Sequence, residues 1–205
     1  MATDGGTVGV VLAGGRSRRL GTDKALLRVD GGRLVDRAVA ALGTVCDRVV
    51  VAEGMRPLVT AADAHLADAV ADAGPLGGVL AGLEHAAVSG ATDLSVLAVD
   101  HVRPDPGLLR HLREVRGEAD VALCEVDGRW QPLHASWSPS AAPAVRRSLA
   151  EGVRAVRDVL ARLELRVVTA SELATVGLDV TFAGDVDTPD DVARLLRPEV
   201  GQPPT

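Results

Sequence analysis

Short apolar segments alternate with helical patterns along this chain, and that alternation restricts the fold more than any other feature. Val8–Ala13, Arg48–Ala52 and Leu94–Val99 are too short for helices, and the first and third are almost wholly apolar. Strands that are apolar on both faces belong to sheets covered by helices on both sides. Helical patterns over Leu34–Leu42 and Leu76–Val88 separate these strands. The sequence therefore predicts a single-domain, three-layer α/β/α fold around a mostly parallel sheet.

The second half of the chain continues the pattern. In chain order we predict a helix, two strands joined by an Asp127-Gly128 hairpin turn, a long helix that would break at Gly152, two late strands and a last helix: Pro106–Val115, Asp120–Val126, Arg129–Trp137, Ala141–Leu163, Leu165–Thr169, Val180–Phe182 and Thr188–Leu196. We therefore place one domain over residues 1–196. Residues 197–205, rich in Pro and Gly, are predicted to be a disordered tail.

Composition argues against several classes of protein. No apolar run approaches the roughly 18 residues of a membrane span, and Asp4 stands where a signal peptide carries positive charge. A net charge of −6 with 1% aromatic residues disfavours nucleic-acid binding. Cys46 and Cys124 lie in apolar stretches, which is typical of reduced core thiols. We therefore expect a cytoplasmic protein that contacts neither membrane nor nucleic acid.

The segment that follows the first strand combines glycine with positive charge. Gly14 and Gly15 let the backbone approach a ligand and offer N–H donors to phosphate oxygens. Lys24 is the only lysine among 22 basic residues. Because Arg serves wherever only charge is needed, the single Lys indicates a site for a compact ammonium; survival by chance is the alternative. The cationic and hydroxyl side chains of this segment are Arg16, Ser17, Arg18, Arg19 and Lys24.

Familiar phosphate-binding patterns fit this segment poorly. A Walker A loop requires Gly-Lys-Ser/Thr in sequence, whereas Thr22 and Asp23 separate Gly21 from Lys24. A dinucleotide fingerprint requires Gly-x-Gly-x-x-Gly, and that spacing is not met. An ordinary strand-to-helix turn explains the glycines but not four cationic side chains. The segment is therefore predicted to bind phosphate in some other way.

Asp100 comes directly after the third predicted strand. Parallel sheets bind ligands at the carboxyl ends of their strands, so this carboxylate and the glycine-rich segment should share one edge. A carboxylate there is costly to bury unless it is paired or binds a metal. A hard dication that also holds phosphate oxygens suits it, and a solvated aspartate is the alternative.

The motif Leu-Ala-Gly-Gly-x-Ser-x-Arg-x-Gly-x-Asp-Lys over residues 12–24 resembles the opening motif of nucleotidyltransferases, most of all the molybdenum cofactor guanylyltransferase family. Gly14-Gly15 is similar to the guanine-using branch, whereas cytidylyl-transferring relatives usually have Ala-Gly. Gly74-Pro75-Leu76-Gly77-Gly78 resembles the family's Gly-Pro-Leu-Ala-Gly. The resemblance covers about residues 7–196 and implies a Rossmann-like sheet of the nucleotide-diphospho-sugar transferase type.

The resemblance also implies a reaction and its residues. The reaction is Mg²⁺-dependent transfer of GMP from GTP to the terminal phosphate of molybdopterin or molybdenum cofactor, with release of pyrophosphate. Lys24, Arg19 and Asp100 would be catalytic, and Asp100 and Asp187 would hold Mg²⁺. The nucleotide-binding residues would be Leu12, Ala13, Gly14, Gly15, Arg16, Ser17, Lys24, Glu53, Asp72, Gly74 and Asp100.

The acceptor side is implied less directly. Gln131, His134 and Asp185 are predicted to bind the acceptor, with two tryptophans nearby. In one continuous strand Trp130 and Trp137 would point to opposite faces, so at least one of them should be ordinary packing. The other histidines are interpreted as surface or loop residues, with His101 alone near the site: His65, His85, His101 and His111.

The sequence departs from the family at two places and leaves alternatives open. The family usually has Asp-x-Pro where this chain has Asp100-His101-Val102, and often an Asn where this chain has Glu53. A relative that uses CTP or another phosphorylated acceptor is one alternative. A non-catalytic nucleotide-binding regulator of the same fold is another. A molybdoenzyme or its chaperone is suggested as a partner, and a monomer or weak homo-oligomer as the assembly.

Overall fold

The computed structural model describes residues 5–14, 23–53 and 57–180. Its strands are β1 (Thr7–Leu12), β2 (Arg28–Val29), β3 (Gly32–Arg33), β4 (Arg48–Ala52), β5 (Ala64–Leu66), β6 (Asp93–Ala98), β7 (Val121–Val126), β8 (Arg129–Trp130), β9 (His134–Trp137) and β10 (Leu165–Thr169). Its α-helices are α1 (Leu34–Gly43), α2 (Pro75–Val88), α3 (Pro106–Arg116), α4 (Ala142–Ala150), α5 (Val156–Leu160) and α6 (Ala170–Thr175).

An eight-stranded sheet forms the middle layer of the described residues, in the order β10-β7-β9-β6-β1-β4-β5, with β8 paired to β7. β1 lies between β4 and β6, so that Val10 pairs with Val50 on one side and Val96 on the other. The pairings of β1 with β4 and β6, of β4 with β5, and of β7 with β10 are parallel. β9 is antiparallel to both β6 and β7. The prediction of a mostly parallel sheet is confirmed.

Successive residues of β1 contact different helical layers. Val10 and Leu12 belong to the hydrophobic cluster that contains the buried side chains of α2 and α4. Val11 belongs to the cluster beneath α1, together with Leu97 and Leu109. Successive side chains of a strand point to opposite faces, so a strand apolar throughout has to be covered on both sides. The predicted three-layer fold follows from this arrangement and is confirmed.

Glycines in α2 let this helix lie close to the sheet. A Cβ built on Gly78 would be 2.9 Å from both Ala52 Cβ and Leu12 Cδ2, and one on Gly82 would be 3.0 Å from Val10 Cγ1. The helix begins after Gly74, whose φ of 61° is in the left-handed region. The close contact brings Pro75, at the start of α2, to the carboxyl edge of the sheet.

The start of β6 holds a buried carboxylate. Asp93 is 2% exposed and accepts a hydrogen bond of 2.6 Å from the Ser136 hydroxyl of β9. Arg116 Nε lies 3.4 Å from the same carboxylate oxygen. Burial raises the pKa of Asp93, while Ser136 and Arg116 counter part of that shift. These contacts connect β6 with the strand that runs against it.

The predicted strand over Arg129–Trp137 is wrong in one respect: it is two strands, because residues 131–133 form a turn. Pro132 has no N–H for the ladder, and its carbonyl accepts the Trp137 indole N–H at 3.2 Å. As a result Trp130 and Trp137 pack on the same hydrophobic cluster, and the expectation of opposite faces fails. The predicted break of Ala141–Leu163 at Gly152 is confirmed: α4 lies before this glycine, whose φ is 83°, and α5 lies after it.

The remaining predictions concern the cysteines, membrane-spanning helices and the C-terminal elements. Cys124 is buried in β7 and Cys46 is half-buried after α1, and burial raises the pKa of their thiols to about 12 and about 11. No helix in the described residues is long and apolar enough to span a membrane. Of the last predicted strand, Val180–Phe182, only Val180 belongs to the described residues. The last predicted helix and the tail over residues 197–205 lie outside the described residues.

Candidate functional site

A cleft of about 230 Å³ opens at the carboxyl edge of the sheet. The ends of β1 and β6 form its floor, and the starts of α2 and of a short 3₁₀ helix, Lys24–Leu26, contribute its rim. Ligands of parallel α/β sheets bind at this edge, so the cleft is the candidate site. Its lining residues among those described are Leu12, Ala13, Gly14, Asp23, Lys24, Pro75, Ala98, Val99, Asp100 and Leu133.

Lys24 and Asp100 meet in this cleft. Lys24 Nζ lies 3.3 Å from Asp100 Oδ2, and the side chains are 18% and 29% exposed. The 3₁₀ helix that carries Lys24 is capped by Asp23, whose carboxylate accepts the Ala25 N–H at 3.1 Å. Ala25 is fully buried, which fixes this helix against the domain. The cleft therefore presents one ammonium and one carboxylate within contact distance.

The turn after β6 places Asp100. The Val99 N–H donates to the Leu12 carbonyl at 3.1 Å, so the turn continues the sheet pairing with β1. Val102, where the family usually has Pro, is 2% exposed and packs in the cluster beneath α1. Burial of an apolar side chain thus holds the turn here, in place of the fixed φ of a proline.

Asp100 suits a hard dication. A carboxylate oxygen that lines an open cleft matches the way Mg²⁺ is bound by one or two protein carboxylates plus phosphate oxygens and water. Among the described residues, no group of three or more His, Cys, Asp or Glu forms a cage for a metal ion. Asp187, the predicted second ligand, lies outside the described residues.

The backbone of Gly14 differs from expectation. Its N–H donates to the Ala52 carbonyl at 3.0 Å, and the Ala13 N–H shares that acceptor at 2.9 Å. The Gly14 amide is therefore used by the sheet rather than aimed at a phosphate. Gly14 still lines the cleft. The other predicted residues of this segment lie outside the described part of the chain: Gly15, Arg16, Ser17 and Arg19.

Three predicted nucleotide contacts are absent from the lining of this cleft. Glu53 Oε2 accepts the Leu58 N–H at 2.9 Å and lies 2.8 Å from His65 Nδ1, so its own loop engages that oxygen. Asp72 is exposed, with a φ of 54°, and Gly74 is exposed at the start of α2. Their predicted roles stay predictions, and Pro75 is the member of that stretch that reaches the cleft.

Asp68 is an edge carboxylate that the sequence analysis missed. It follows β5 and is half-buried beside the first turn of α2, where a Cβ built on Gly78 would be 3.6 Å from its Oδ1. Burial raises the pKa of Asp68. The available signal was a carboxylate after a short alternating segment, but β5 spans only Ala64–Leu66 and is too short to stand out.

His134 is buried, which contradicts its predicted contact with an acceptor. It is fully buried in β9, and its ring packs edge-on against His101 with centroids 5.2 Å apart. His134 Nε2 lies 3.4 Å from the Asp105 carbonyl. Burial, then the nearby His101, lowers the pKa of His134 to about 3. His101 is the predicted loop residue near the site, since it lies in the turn after β6, but at 5% exposed it is buried rather than at the surface.

The rest of the predicted acceptor side is only partly described. Gln131 is half-buried in the turn between β8 and β9, and its N–H donates to the Cys124 carbonyl at 2.9 Å. Its neighbour Leu133 lines the cleft. Asp185 lies outside the described residues. The antiparallel β9 therefore brings the turn before it, rather than His134, to the edge.

Comparison with known proteins identifies the family of this chain. The profile of the MobA-like NTP transferase domain matches residues 9–167. The chain belongs to this family. A probable molybdenum cofactor guanylyltransferase of Opitutus terrae is 34% identical over 170 residues, covering 80% of this chain and 84% of the relative. The resemblance predicted from the sequence is confirmed, and the chain is a nucleotidyltransferase.

Two further relatives span nearly the whole chain. A probable molybdenum cofactor guanylyltransferase of Pelotomaculum thermopropionicum is 32% identical over 190 residues, 91% of this chain and 90% of the relative. The crystal structure of molybdopterin-guanine dinucleotide biosynthesis protein A from Archaeoglobus fulgidus aligns with a TM-score of 0.76 and 23% identity, covering 92% of this chain and 96% of that one. At this identity the structural match supports the fold alone.

Proposed function

We propose that this MobA-like nucleotidyltransferase transfers GMP from GTP to the terminal phosphate of a molybdopterin-type acceptor, with Mg²⁺ as cofactor. The observation that carries the proposal is the meeting of Lys24 and Asp100 at 3.3 Å in the edge cleft. A triphosphate needs a cation beside the phosphorus under attack and a carboxylate for its dication. The names of the guanylyltransferase relatives support GTP and the acceptor class.

In the proposed reaction an oxygen of the acceptor's terminal phosphate attacks the α-phosphorus of GTP. A new phosphorus–oxygen bond forms, the bond from the α-phosphorus to its bridging oxygen breaks, and pyrophosphate leaves with that electron pair. The Lys24 ammonium neutralises charge on the α-phosphate. Asp100 would hold Mg²⁺, which when bound screens the phosphate charges. The chain supplies positioning and charge, and no covalent enzyme intermediate is required.

The apolar floor of the cleft has a role in this scheme. It is lined by the apolar side chains of Leu12, Ala98 and Leu133. These side chains offer no hydrogen bonds to water or to a phosphate. In an environment with little water, the attraction between the ammonium and the phosphate is stronger than in bulk solvent. The floor would therefore strengthen the contacts made by Lys24 and Asp100.

Asp68 is our candidate for recognising the base. A guanine presents two adjacent N–H donors, which one carboxylate accepts together. Of the other described edge carboxylates, Asp100 pairs with Lys24, Asp23 caps its 3₁₀ helix, Glu53 is engaged by His65, and Asp72 is exposed. Asp68→Asn should therefore weaken GTP binding by at least about tenfold and leave CTP binding unchanged, as titration calorimetry would measure.

The main test is a pyrophosphate-release assay with GTP, CTP, ATP and UTP, each with and without molybdopterin and Mg²⁺. Release is expected only with GTP, acceptor and Mg²⁺ together, and Lys24→Ala is the matched inactive variant. Calorimetry with the four nucleotides accompanies it. Tightest binding and turnover with CTP would assign the chain to cytidylyl transfer. GTP binding without any release would favour the non-catalytic regulator.

The assembly and partners form a separate part of the proposal. We propose a monomer or weak homo-oligomer in the cytoplasm that delivers its product to a molybdoenzyme or its chaperone. Support comes from the reaction, since an activated cofactor must pass to a protein that uses it. Light scattering of the purified chain tests the assembly, and a stable dimer at low protein concentration would overturn it.

A further inference from the structure

Arg37 on α1 donates hydrogen bonds to backbone carbonyls in two separate segments. Its Nη2 lies 3.2 Å from the Val102 carbonyl oxygen, and its Nη1 lies 3.4 Å from the Val29 carbonyl oxygen. Nη1 is also 3.4 Å from Asp30 Oδ2, which is largely exposed. The guanidinium thus bridges Val29 with Val102, which lies 65 residues beyond Arg37 in the sequence.

These two segments carry Lys24 and Asp100, the ion pair of the cleft. Val29 follows the 3₁₀ helix Lys24–Leu26, and Val102 lies in the turn that begins with Asp100. Val29 is 3% exposed and Val102 is 2% exposed, and both pack in the cluster that also contains Ala25. Apolar packing therefore brings the segments together, while Arg37 fixes how their backbones lie relative to each other.

The geometry suits a guanidinium in particular. Arg presents several N–H donors in one rigid plane, so two nitrogens can hold two carbonyls at a fixed separation. Charge strengthens each of these hydrogen bonds. Arg33, at the start of the same helix, differs: its side chain donates to the Asp36 carboxylate and to the Val59 carbonyl, and to neither segment of the cleft.

We propose that Arg37 is a positioning residue for nucleotidyl transfer, which fixes the Lys24 segment against the Asp100 turn and so sets the distance between ammonium and carboxylate. The inference rests on the proposed function, in which that distance matters for the reaction. Arg37 is absent from the lining of the cleft, so it acts through the two backbones rather than by touching substrate.

The lone lysine provides a direct readout. Lysine labelled with ¹³C at Cε and ¹⁵N at Nζ would give one side-chain resonance, because Lys24 is the only lysine in the sequence. Asp100→Asn supplies the reference position for a broken ion pair. Arg37→Gln should move the Lys24 resonance more than halfway from the wild-type position to that reference. Arg33→Gln, the matched control, should leave it in place.

Kinetics provide a second readout. Misplacing a reacting group by about 1 Å costs on the order of 100-fold in rate. We expect Arg37→Gln to lower kcat roughly 10- to 100-fold while KM for GTP changes less than about threefold. Arg37→Lys keeps the charge without the planar pair of donors, and should resemble Arg37→Gln in kcat and in the Lys24 resonance. It also serves if the glutamine variant folds poorly.

Several outcomes would overturn the inference. A Lys24 resonance at the wild-type position in both Arg37 variants would show that no positioning takes place. Equal shifts in Arg37→Gln and Arg33→Gln would indicate a general effect of losing an arginine on this helix. A wild-type kcat and a wild-type Lys24 resonance in Arg37→Lys would show that the charge of Arg37, and not its planar pair of donors, is what matters. If the wild type releases no pyrophosphate, the proposed function fails while the resonance still tests the contact.

Discussion

The Lys24 ammonium and the Asp100 carboxylate are 76 positions apart in the sequence and lie 3.3 Å from each other in the cleft. Lys24 follows β1 in the sequence and Asp100 lies in the turn after β6, and these strands are paired in parallel, so their carboxyl ends share an edge. A phosphate that binds between them exchanges part of this ion pair for its own contacts. In the proposed function, the pair therefore sets where the triphosphate would lie.

Lys24→Arg should be nearly as damaging as Lys24→Ala. A guanidinium is a wide planar fork, and it cannot occupy the position of an ammonium 3.3 Å from Asp100 without displacing the phosphate. We expect kcat to fall on the order of 100-fold in both variants, with little change in melting temperature. A Lys24→Arg enzyme within a few-fold of wild type would make the lone lysine an accident of codon usage.

Asp100→Asn should abolish turnover without unfolding the protein. The amide is nearly isosteric but lacks the charge that would hold a dication, and we expect a loss of about 100- to 1,000-fold. The measurement is pyrophosphate release over a series of Mg²⁺ concentrations. Asp36→Asn, which removes only the partner of Arg33, is the control and should keep wild-type activity. Normal activity of Asp100→Asn at limiting Mg²⁺ would contradict its assignment as a ligand.

Two helical glycines should respond oppositely to alanine. Gly78→Ala places a methyl group 2.9 Å from Ala52 Cβ and Leu12 Cδ2, so it should destabilise the fold by about 1–3 kcal/mol. Gly43→Ala, in the exposed last turn of α1, meets nothing within 4 Å and should stabilise by about 0.4–1 kcal/mol. Urea unfolding of both variants measures these changes. A neutral Gly78→Ala would mean that α2 can move away from the sheet freely.

His134 should make the fold sensitive to acid. Its pKa is lowered to about 3 in the folded state by burial, whereas an unfolded histidine titrates near pH 6.5. Below about pH 6.5, His134 is therefore protonated in the unfolded chain but not in the folded chain. The free energy of unfolding then falls by up to about 1.4 kcal/mol for each unit by which the pH is lowered. Above that pH both states are neutral and the effect vanishes.

The comparison with His134→Gln isolates this contribution. Glutamine does not titrate, so the unfolding free energy of the variant should fall less steeply between about pH 6.5 and about pH 4 than that of wild type. Denaturant titrations at several pH values give both slopes. Parallel curves for the two proteins would show that His134 is protonated in the folded state over this range.

Features that depend on periodicity were predictable. Arg48–Ala52 and Leu165–Thr169 have the predicted bounds as β4 and β10. The proximity of Lys24 and Asp100 also followed, since parallel strands end at one edge. One further signal was available: Thr169 and Glu172 form a capping box at the start of α6, and the spacing of these residue types marks a helix start.

Features that depend on tertiary contacts were not predictable. His134 was predicted to bind the acceptor because of its position near the carboxyl edge of the sheet, but the turn at Pro132 and the ring of His101 bury it. Glu53 lies at the end of β4 as expected, yet His65 from the following segment engages its carboxylate. Neither partner could be identified from a local pattern, because each depends on how a loop folds back.

The reversed strand β9 has a consequence for synthesis of the chain. β4, β5 and β6 are complete once Ala98 has been made, so the half-sheet around β1 can assemble early on the ribosome. At that stage one edge of β6 has no paired strand, and the Asp93 carboxylate lacks its hydrogen-bond donor Ser136. A chain truncated before residue 134 would therefore be a half-domain with an unpaired strand edge. We expect such a fragment to aggregate rather than to accumulate in soluble form.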